Sequence, residues 1–301
     1  MDVLVSGSHG LIGSALVAAL ETRGDHVRRL VRGRATGGDV AWDIGAGTID
    51  AAALAGVDAA VHLAGEGVAE RRWSAEQKRR ILDSRVDGTR LLATALAGLD
   101  PRPAVLVSGS AIGFYGDRGN QVLTERSAAG SGFLPGLVRE WEAATRPAEA
   151  AGIRVVHICT GIVLSTAGGA LRKQLPPFRM GVGGRLGSGR QYLSWITIDD
   201  EVGAILHCLA TGSLSGPVNL TAPGPATGAE FARALGAALH RPAVIPVPAV
   251  AVKLAFGAEM AQELFLSGQR VLPAELERTG YRFAQTELGP ALRSLVGRPR
   301  R

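Results

Sequence analysis

The chain has 301 residues, enough for one large domain or a two-lobed one, and its apolar content of 46% is ordinary for a globular protein. No apolar run is long enough to span a bilayer. The formal net charge of +6 comes almost wholly from arginine, since Lys78, Lys173 and Lys253 are the only lysines; the cations are dispersed and lack an aromatic-rich strand, which points to anionic ligands rather than nucleic acid.

Val3-Leu4-Val5 is a short apolar run of the kind a buried parallel strand needs. Gly7, Gly10 and Gly13 follow as G-x-x-G-x-x-G, and Leu11, Ile12, Ala15, Leu16, Ala19 and Leu20 then recur at helical spacing. A glycine loop between strand and helix is the context in which such a motif binds a dinucleotide. Gly7 permits the tight turn, Gly10 lets backbone approach a pyrophosphate, and Gly13 lets helix and strand pack closely. The helix N-terminus attracts the anion, so the whole loop, with Ser8, His9, Leu11 and Ile12, is a candidate cofactor cradle.

Asp25 to Arg32 reads as the second strand. Its end lies about 20 residues past the glycine loop, where such folds choose between cofactors. An acid there holds the ribose hydroxyls of NAD, whereas this chain has Arg32 and Arg34 and no acid until Asp39. The two arginines suit the 2′-phosphate of NADP(H), the alternative being two solvated loop cations. Val40 to Asp43 is a strand and Ile49 to Leu54 a short helix. Asp58 to Gly65 is the next strand, ending in small residues that let a cofactor lie close, with His62 a packed strand residue.

Ser74 starts a helix that runs to Leu96, with Ser74-x-x-Gln77 as a capping box. Ala104 to Val107 is a strand that ends in Ser108 to Gly116. Phe133 to Ala151 is helical, confined by Pro135 and Pro147, and Ile153 to Ile158 is the sixth strand. The alternation predicts an α/β fold, a Rossmann-type doubly wound parallel sheet. A Gly-rich insertion follows around Pro176-Pro177 and Gly181 to Gly189, then strand and helix from Ser194 to Asp200, a strand at Pro217 to Leu220, and a mostly helical remainder. Residues 1–165, completed by 191–222, are expected to form the NADP-binding domain, and 166–190 with 223–301 a smaller lobe.

Cys159 and Cys208 lie in apolar segments and read as buried free thiols, and no Cys/His spacing suggests zinc. The N-terminus lacks a basic stretch and its apolar run is broken by glycines, so the expectation is a cytoplasmic protein without a membrane role.

Several stretches together resemble the extended short-chain dehydrogenase/reductase superfamily. Within it they resemble the NAD-dependent epimerase/dehydratase-like members that carry a C-terminal domain of unknown function. The stretches are Leu63-Ala64-Gly65-Glu66, Arg72-Trp73 through Ser84-Arg85, Ser108 to Gly116, Leu175 to Arg179, Gly183 to Gly189, Ser194-Trp195-Ile196 with Asp199-Asp200, and Ser267 to Pro273. The resemblance covers nearly the whole chain. It implies an NADP(H)-binding core contacted by the glycine loop, Arg32, Leu63, Ala64 and Arg85, with Gly65 and Glu66 beside them. It leaves the reaction open, because fold analogy does not establish chemistry.

Ordinary short-chain dehydrogenases use Tyr-x-x-x-Lys one helical turn apart, the lysine lowering the tyrosine pKa. Residues four before the three lysines are Ser74, Gly169 and Ala249, so the pair is absent. What remains beyond the fifth strand is Ser108, Ser110 and Tyr115, and in the superfamily a serine here hydrogen-bonds the reacting oxygen. Ser108 is a further candidate cofactor contact, Ser110 and Tyr115 are the candidate catalytic residues, and Arg185 and Arg190 the candidate grip on an anionic substrate. Asp199-Asp200 reads as a helix cap rather than an acid pair. The expected function is an NADP(H)-dependent oxidoreductase or epimerase acting on a small polar substrate such as a nucleotide-sugar-like molecule. Its rival is a non-catalytic NADPH-sensing regulator that binds a protein partner.

Overall fold

The computed structural model describes residues 1–33 and 35–297. In chain order the first elements are β1 (Asp2–Ser6), α1 (Leu11–Thr22), β2 (His26–Arg32), β3 (Val40–Asp43), β4 (Thr48–Ile49), β5 (Ala59–His62), α2 (Ala75–Ala97) and β6 (Val105–Ala111). Next come β7 (Val122–Leu123), α3 (Phe133–Ala143), α4 (Arg146–Ala150), β8 (Arg154–Thr160), β9 (Ile162–Leu164) and α5 (Gly169–Arg179). Then follow β10 (Tyr192–Leu193), β11 (Trp195–Thr197), α6 (Ile198–Ala210), β12 (Gly216–Leu220), β13 (Ala226–Thr227) and α7 (Gly228–Ala238). The chain closes with α8 (Ala249–Phe256), α9 (Ala258–Ala261), a π-helical turn at Gln262–Leu266, β14 (Arg270–Val271), α10 (Ala274–Arg278) and α11 (Leu288–Gly297).

The central sheet has eight strands in the order β12-β8-β6-β5-β1-β2-β3-β4. The pairs β3–β2, β2–β1, β1–β5 and β5–β6 are parallel, and β4 returns antiparallel to β3. The chain runs outward from β1 on one side through β2 and on the other through β5. The crevice where the order reverses is where ligands bind in such sheets. This is the doubly wound Rossmann architecture expected from the alternation of strands and helices.

Two compact units emerge from the contacts. One comprises Met1–Ser110, Leu137–Cys159 and Val202–Val218; the other comprises Ala111–Gly136, Thr160–Glu201 and Asn219–Arg301. The first buries Leu4, Leu30, Ala60 and Leu106 from the strands against Leu92 and Leu96 of α2. The second buries Leu171, Leu175 and Phe178 of α5 with Trp195, Phe231, Leu235 and Leu292. The second unit is comparable in length to the first, not a smaller lobe, and it takes in 111–136 and 191–201. The reason is long-range pairing: β14 runs parallel to β7, with Val271 opposite Leu123, which ties residues near 122 to the C-terminal part.

Three local elements differ from the sequence expectation. The helix expected over Phe133–Ala151 is two, α3 and α4, because Pro147 lies in the first turn of the second and lacks the N–H a continuous helix requires. Ile49–Leu54 divides into the end of β4 and a 3₁₀ turn at Ala52–Leu54. The segment read as a Gly-rich insertion opens with α5, held by the buried stripe Leu171, Leu175 and Phe178 although Pro176 and Pro177 lie inside it.

Candidate functional site

The cofactor candidates lie in the first unit, at the carboxyl ends of β1 and β5. Gly7 has φ 67°, and a Cβ there would sit 2.7 Å from the Leu63 carbonyl carbon. A Cβ on Gly13 would overlap the Gly7 carbonyl oxygen. These two glycines are therefore required by the fold itself. Gly10 differs: its φ of −75° and ψ of 173° suit any residue, it is exposed, and the nearest atom to an added Cβ is the Gly7 oxygen at 3.2 Å. Gly10 is the N-cap of α1 and supplies no side-chain cap, and the first turn carries no acid. The helix N-terminus thus offers its backbone N–H groups and positive dipole end to an external anion.

Ser6 braces this corner. Its Oγ accepts from the backbone N–H groups of Leu63 at 3.0 Å and Ala64 at 3.2 Å, and lies 2.7 Å from His62 Nδ1. With both lone pairs used, the hydroxyl proton goes to Nδ1, so the His62 ring carries its own proton on Nε2. Burial, with the charge of Arg85 adding to it, pushes the His62 imidazole down to about 4, so it is neutral near pH 7. His62 is a packed strand residue, as expected, edge-on to Trp42 at 5.9 Å.

Arg85 of α2 donates from Nη1 to the Glu66 carbonyl at 2.7 Å and lies over the Trp141 ring at 4.9 Å. Burial lowers its pKa to about 10, with Glu66 opposing, so it stays charged. Gly65 packs on it, and a Cβ there would meet the guanidinium carbon at 3.1 Å. The Glu66 N–H donates to Ser84 Oγ at 3.0 Å. The loop Leu63–Glu66 is thereby pinned from β1 by Ser6 and from α2 by Ser84 and Arg85. Ser8 is buried beside the exposed His9, their side chains 3.4 Å apart.

Arg32 lines a cavity of about 410 Å³ with Gly33, Trp42, Asp43, Ile44, Gly45 and Ser84. A cation, a carboxylate and an aromatic wall meet there, beside the strand that carries the glycine loop. Arg34 lies outside the described residues. Sequence reasoning missed Ser6, Trp42, Asp43, Ile44 and Ser84; an acid closing the third strand was the available signal for the cavity.

Ser108 is fully buried, opposite His62 in the β5–β6 register, and its Oγ has no hydrogen-bond partner among the described residues. Ser110 donates to Glu142 Oε1 at 2.6 Å, and Cys159 Sγ lies 3.6 Å from the Ser110 hydroxyl. Glu142 belongs to α3, the helix where a Tyr-x-x-x-Lys pair would stand. Cys159 and Cys208 are both buried free thiols. Among the described residues no group of three or more His, Cys, Asp or Glu is placed to hold a metal ion.

The remaining candidates lie in the second unit. Tyr115 is 1% exposed, packs with Ile112, Leu123 and Val271, and donates its phenol proton to Asn219 Oδ1 at 2.8 Å. The phenol proton expected to serve acid–base chemistry is thus directed at Asn219 in this structure. Arg185 Nη1 donates to the carbonyls of Gly187 and Ser188, both at 2.8 Å, and so shapes its own loop; Arg190 is exposed. Asp200 is buried and accepts from Thr197 Oγ1 and from the N–H groups of Ala284 and Gln285. It anchors the C-terminal segment, while Thr197 Oγ1 accepts from the Asp200 N–H and performs the capping expected of the Asp pair. Asp199 sits in the first turn of α6.

Residues 3–133 match the NAD dependent epimerase/dehydratase family, and residues 247–295 match a domain of unknown function, DUF1731. An epimerase family protein of Mycobacterium tuberculosis is 48% identical over 298 residues, covering 99% of this chain and 98% of the relative. The human epimerase family protein SDR39U1 is 41% identical over 302 residues, covering 98% of this chain and 100% of the relative. The crystal structure of the human protein (isoform 2) with NADPH superposes with a TM-score of 0.91 at 37% identity, covering 99% of each chain. With relatives this similar along almost its full length, the chain belongs to the epimerase family, an NAD(P)-binding Rossmann group within the extended short-chain dehydrogenases.

Proposed function

We propose that the first unit binds NADP(H), and that the protein is an oxidoreductase or epimerase acting on a small polar substrate. The observation that carries this reading is the uncapped N-terminus of α1 behind a glycine loop whose middle glycine has space in front of it. Arg32 at the neighbouring cavity supplies the cation that a 2′-phosphate selects, and the human relative crystallised with NADPH supports the same assignment. When bound, NADPH supplies a hydride. The chain's own residues anchor the pyrophosphate at α1, keep Leu63–Glu66 in place through Ser6 and Arg85, and hold the adenosine end beside Trp42, Asp43 and Arg32.

NADPH is expected to bind more tightly than NADH. A charge-assisted contact from Arg32 contributes about 1.5–3 kcal/mol, roughly ten- to a hundred-fold in affinity. Titration calorimetry on wild type and Arg32→Ala measures it: the variant should lose most of the preference while keeping its affinity for NADH. Equal affinities in the wild type would end the NADP assignment.

A second reading, an NADPH-sensing regulator with a protein partner, draws on a specific observation: the hydroxyls of Ser110 and Tyr115 are already engaged by Glu142 and Asn219. The two readings diverge in a carbonyl-compound screen that follows NADPH loss. If turnover is found, Ser110→Ala should lower kcat by about 10²-fold or more, because positioned proton transfer contributes about 10²–10⁴-fold. Tight NADPH binding with no turnover of any compound, and a cofactor-dependent protein partner, would favour the regulator.

A further inference from the structure

Seven large apolar side chains of the second unit stand exposed on three neighbouring segments: Met180 and Val182, Val244 and Ile245, and Val250, Leu254 and Phe256 of α8. Backbone bonds hold the segments together. The Ile245 N–H donates to the Gly183 carbonyl at 3.4 Å, Val247 to Arg185 at 2.9 Å, and Gly187 back to Val247 at 2.9 Å. Arg241 Nε donates to the Arg179 carbonyl at 3.1 Å. α8 follows directly, and of its eight residues only Val252 is buried. A helix apolar on nearly every side is ordinarily covered, and an exposed apolar cluster of this kind marks an interaction surface.

The charge on these segments has one sign. Residues 166–198 contain Arg172, Lys173, Arg179, Arg185 and Arg190 and no Asp or Glu; residues 231–258 contain Arg233, Arg241 and Lys253 and no Asp or Glu. Two of the three lysines of the chain fall here. All of these cations are exposed.

We infer that this face of the second unit docks on an anionic lipid surface. A two-fold contact with a second copy would set the basic face against itself, which like charges oppose. Met180, Val244 and Leu254 are 71%, 78% and 74% exposed and stand among cations of one sign. An acyl–headgroup boundary accepts protruding apolar groups of any shape, while arginine and lysine reach up to phosphates. Among the described residues no helix is long and apolar enough to cross a membrane, so the attachment is peripheral. This inference runs against the sequence expectation that membranes play no part, and vesicle sedimentation decides between them.

Sedimentation of the full-length protein with phosphatidylcholine vesicles, with and without about a third phosphatidylglycerol, tests the inference. Retention should need the anionic lipid and should weaken as salt rises. Leu254→Glu should lower partitioning at least about ten-fold, and Lys253→Gln about five-fold. Both positions are exposed, so melting temperatures should match wild type and show that the variants are folded. No retention on anionic vesicles would overturn the inference. So would equal retention on neutral ones, retention unchanged in Leu254→Glu, or a stable dimer in light scattering that Leu254→Glu dissociates.

Discussion

Replacing Gly10 by valine is expected to abolish binding of NADPH and NADH together, by at least about a hundred-fold or roughly 2.7 kcal/mol, in a protein that still folds. Gly10 is the glycine of the loop that can separate these two outcomes. Gly7 needs a positive φ and lies against the Leu63 carbonyl, and Gly13 lies against the Gly7 carbonyl, so a side chain at either strikes backbone and damages the fold. Gly10 has an extended backbone and one neighbour at 3.2 Å, which a small shift accommodates. An N-cap glycine replaced by valine costs about 1 kcal/mol of helix stability, a drop of a few degrees in melting temperature for a unit of this size. The branched side chain fills the space in front of the α1 N-terminus where the pyrophosphate must approach backbone N–H groups. Titration calorimetry with both cofactors, beside a melting curve, measures the separation. Affinity within a few-fold of wild type in a folded variant would mean that Gly10 serves the turn alone and would withdraw the pyrophosphate from this position.

The second large effect concerns stability against pH. Glu201, in the first turn of α6, is fully buried; Oε1 accepts from Thr160 Oγ1 at 2.8 Å and Oε2 has no partner among the described residues. Burial raises its pKa from 4.5 to about 8, the Thr160 hydrogen bond opposing, so the folded protein holds a neutral carboxyl at neutral pH. The unfolded chain releases that proton above about 4.5. Between these values the folded state binds more protons, so stability falls as pH rises, by about 1.4 kcal/mol per pH unit, and levels off above 8. His62 acts in the opposite sense. Its folded value of about 4 lies below the ordinary 6.5, so stability is lost as pH falls from 6.5 towards 4. Over the acid range the two slopes oppose one another, while above 6.5 Glu201 acts without that opposition. Glu201→Gln keeps an acceptor for Thr160 and carries no charge at any pH. Between pH 6.5 and 8 the wild type should lose about 2 kcal/mol relative to this variant, or roughly 4–8 °C in melting temperature. Calorimetric scans at those pH values decide it; parallel curves for the two proteins would remove Glu201 as the source.

The two residues show why part of the molecule was legible in the sequence and part was not. The glycine loop is local: strand, three spaced glycines and an amphipathic helix occupy adjacent residues, and their roles follow from the backbone approaches that only glycine permits. The parallel sheet was legible for the same reason, since alternating strand and helix periodicity leaves few ways to cover both faces. The absence of Tyr-x-x-x-Lys was a matter of counting. Arg32 was legible as a residue, but the cavity it shares with Trp42, Asp43 and Ser84 was not, because β3 and α2 reach it from distant parts of the chain.

What the amino-acid sequence determined by itself was the dinucleotide-binding architecture and the chain's membership of an epimerase family, because both are written in short-range patterns. Only the tertiary structure decided which hydroxyls are engaged: Ser110 with Glu142, 32 residues away, and Tyr115 with Asn219, 104 residues away. It also decided that 111–136 joins the C-terminal unit through the β7–β14 pairing, that Asp200 anchors residues 284–285, and that α8 stands exposed in a basic setting. Burial and long-range hydrogen bonding are properties of the folded chain. A phenol or a carboxyl reads the same in sequence whether it faces solvent or a packed core, and that difference sets whether it can transfer a proton.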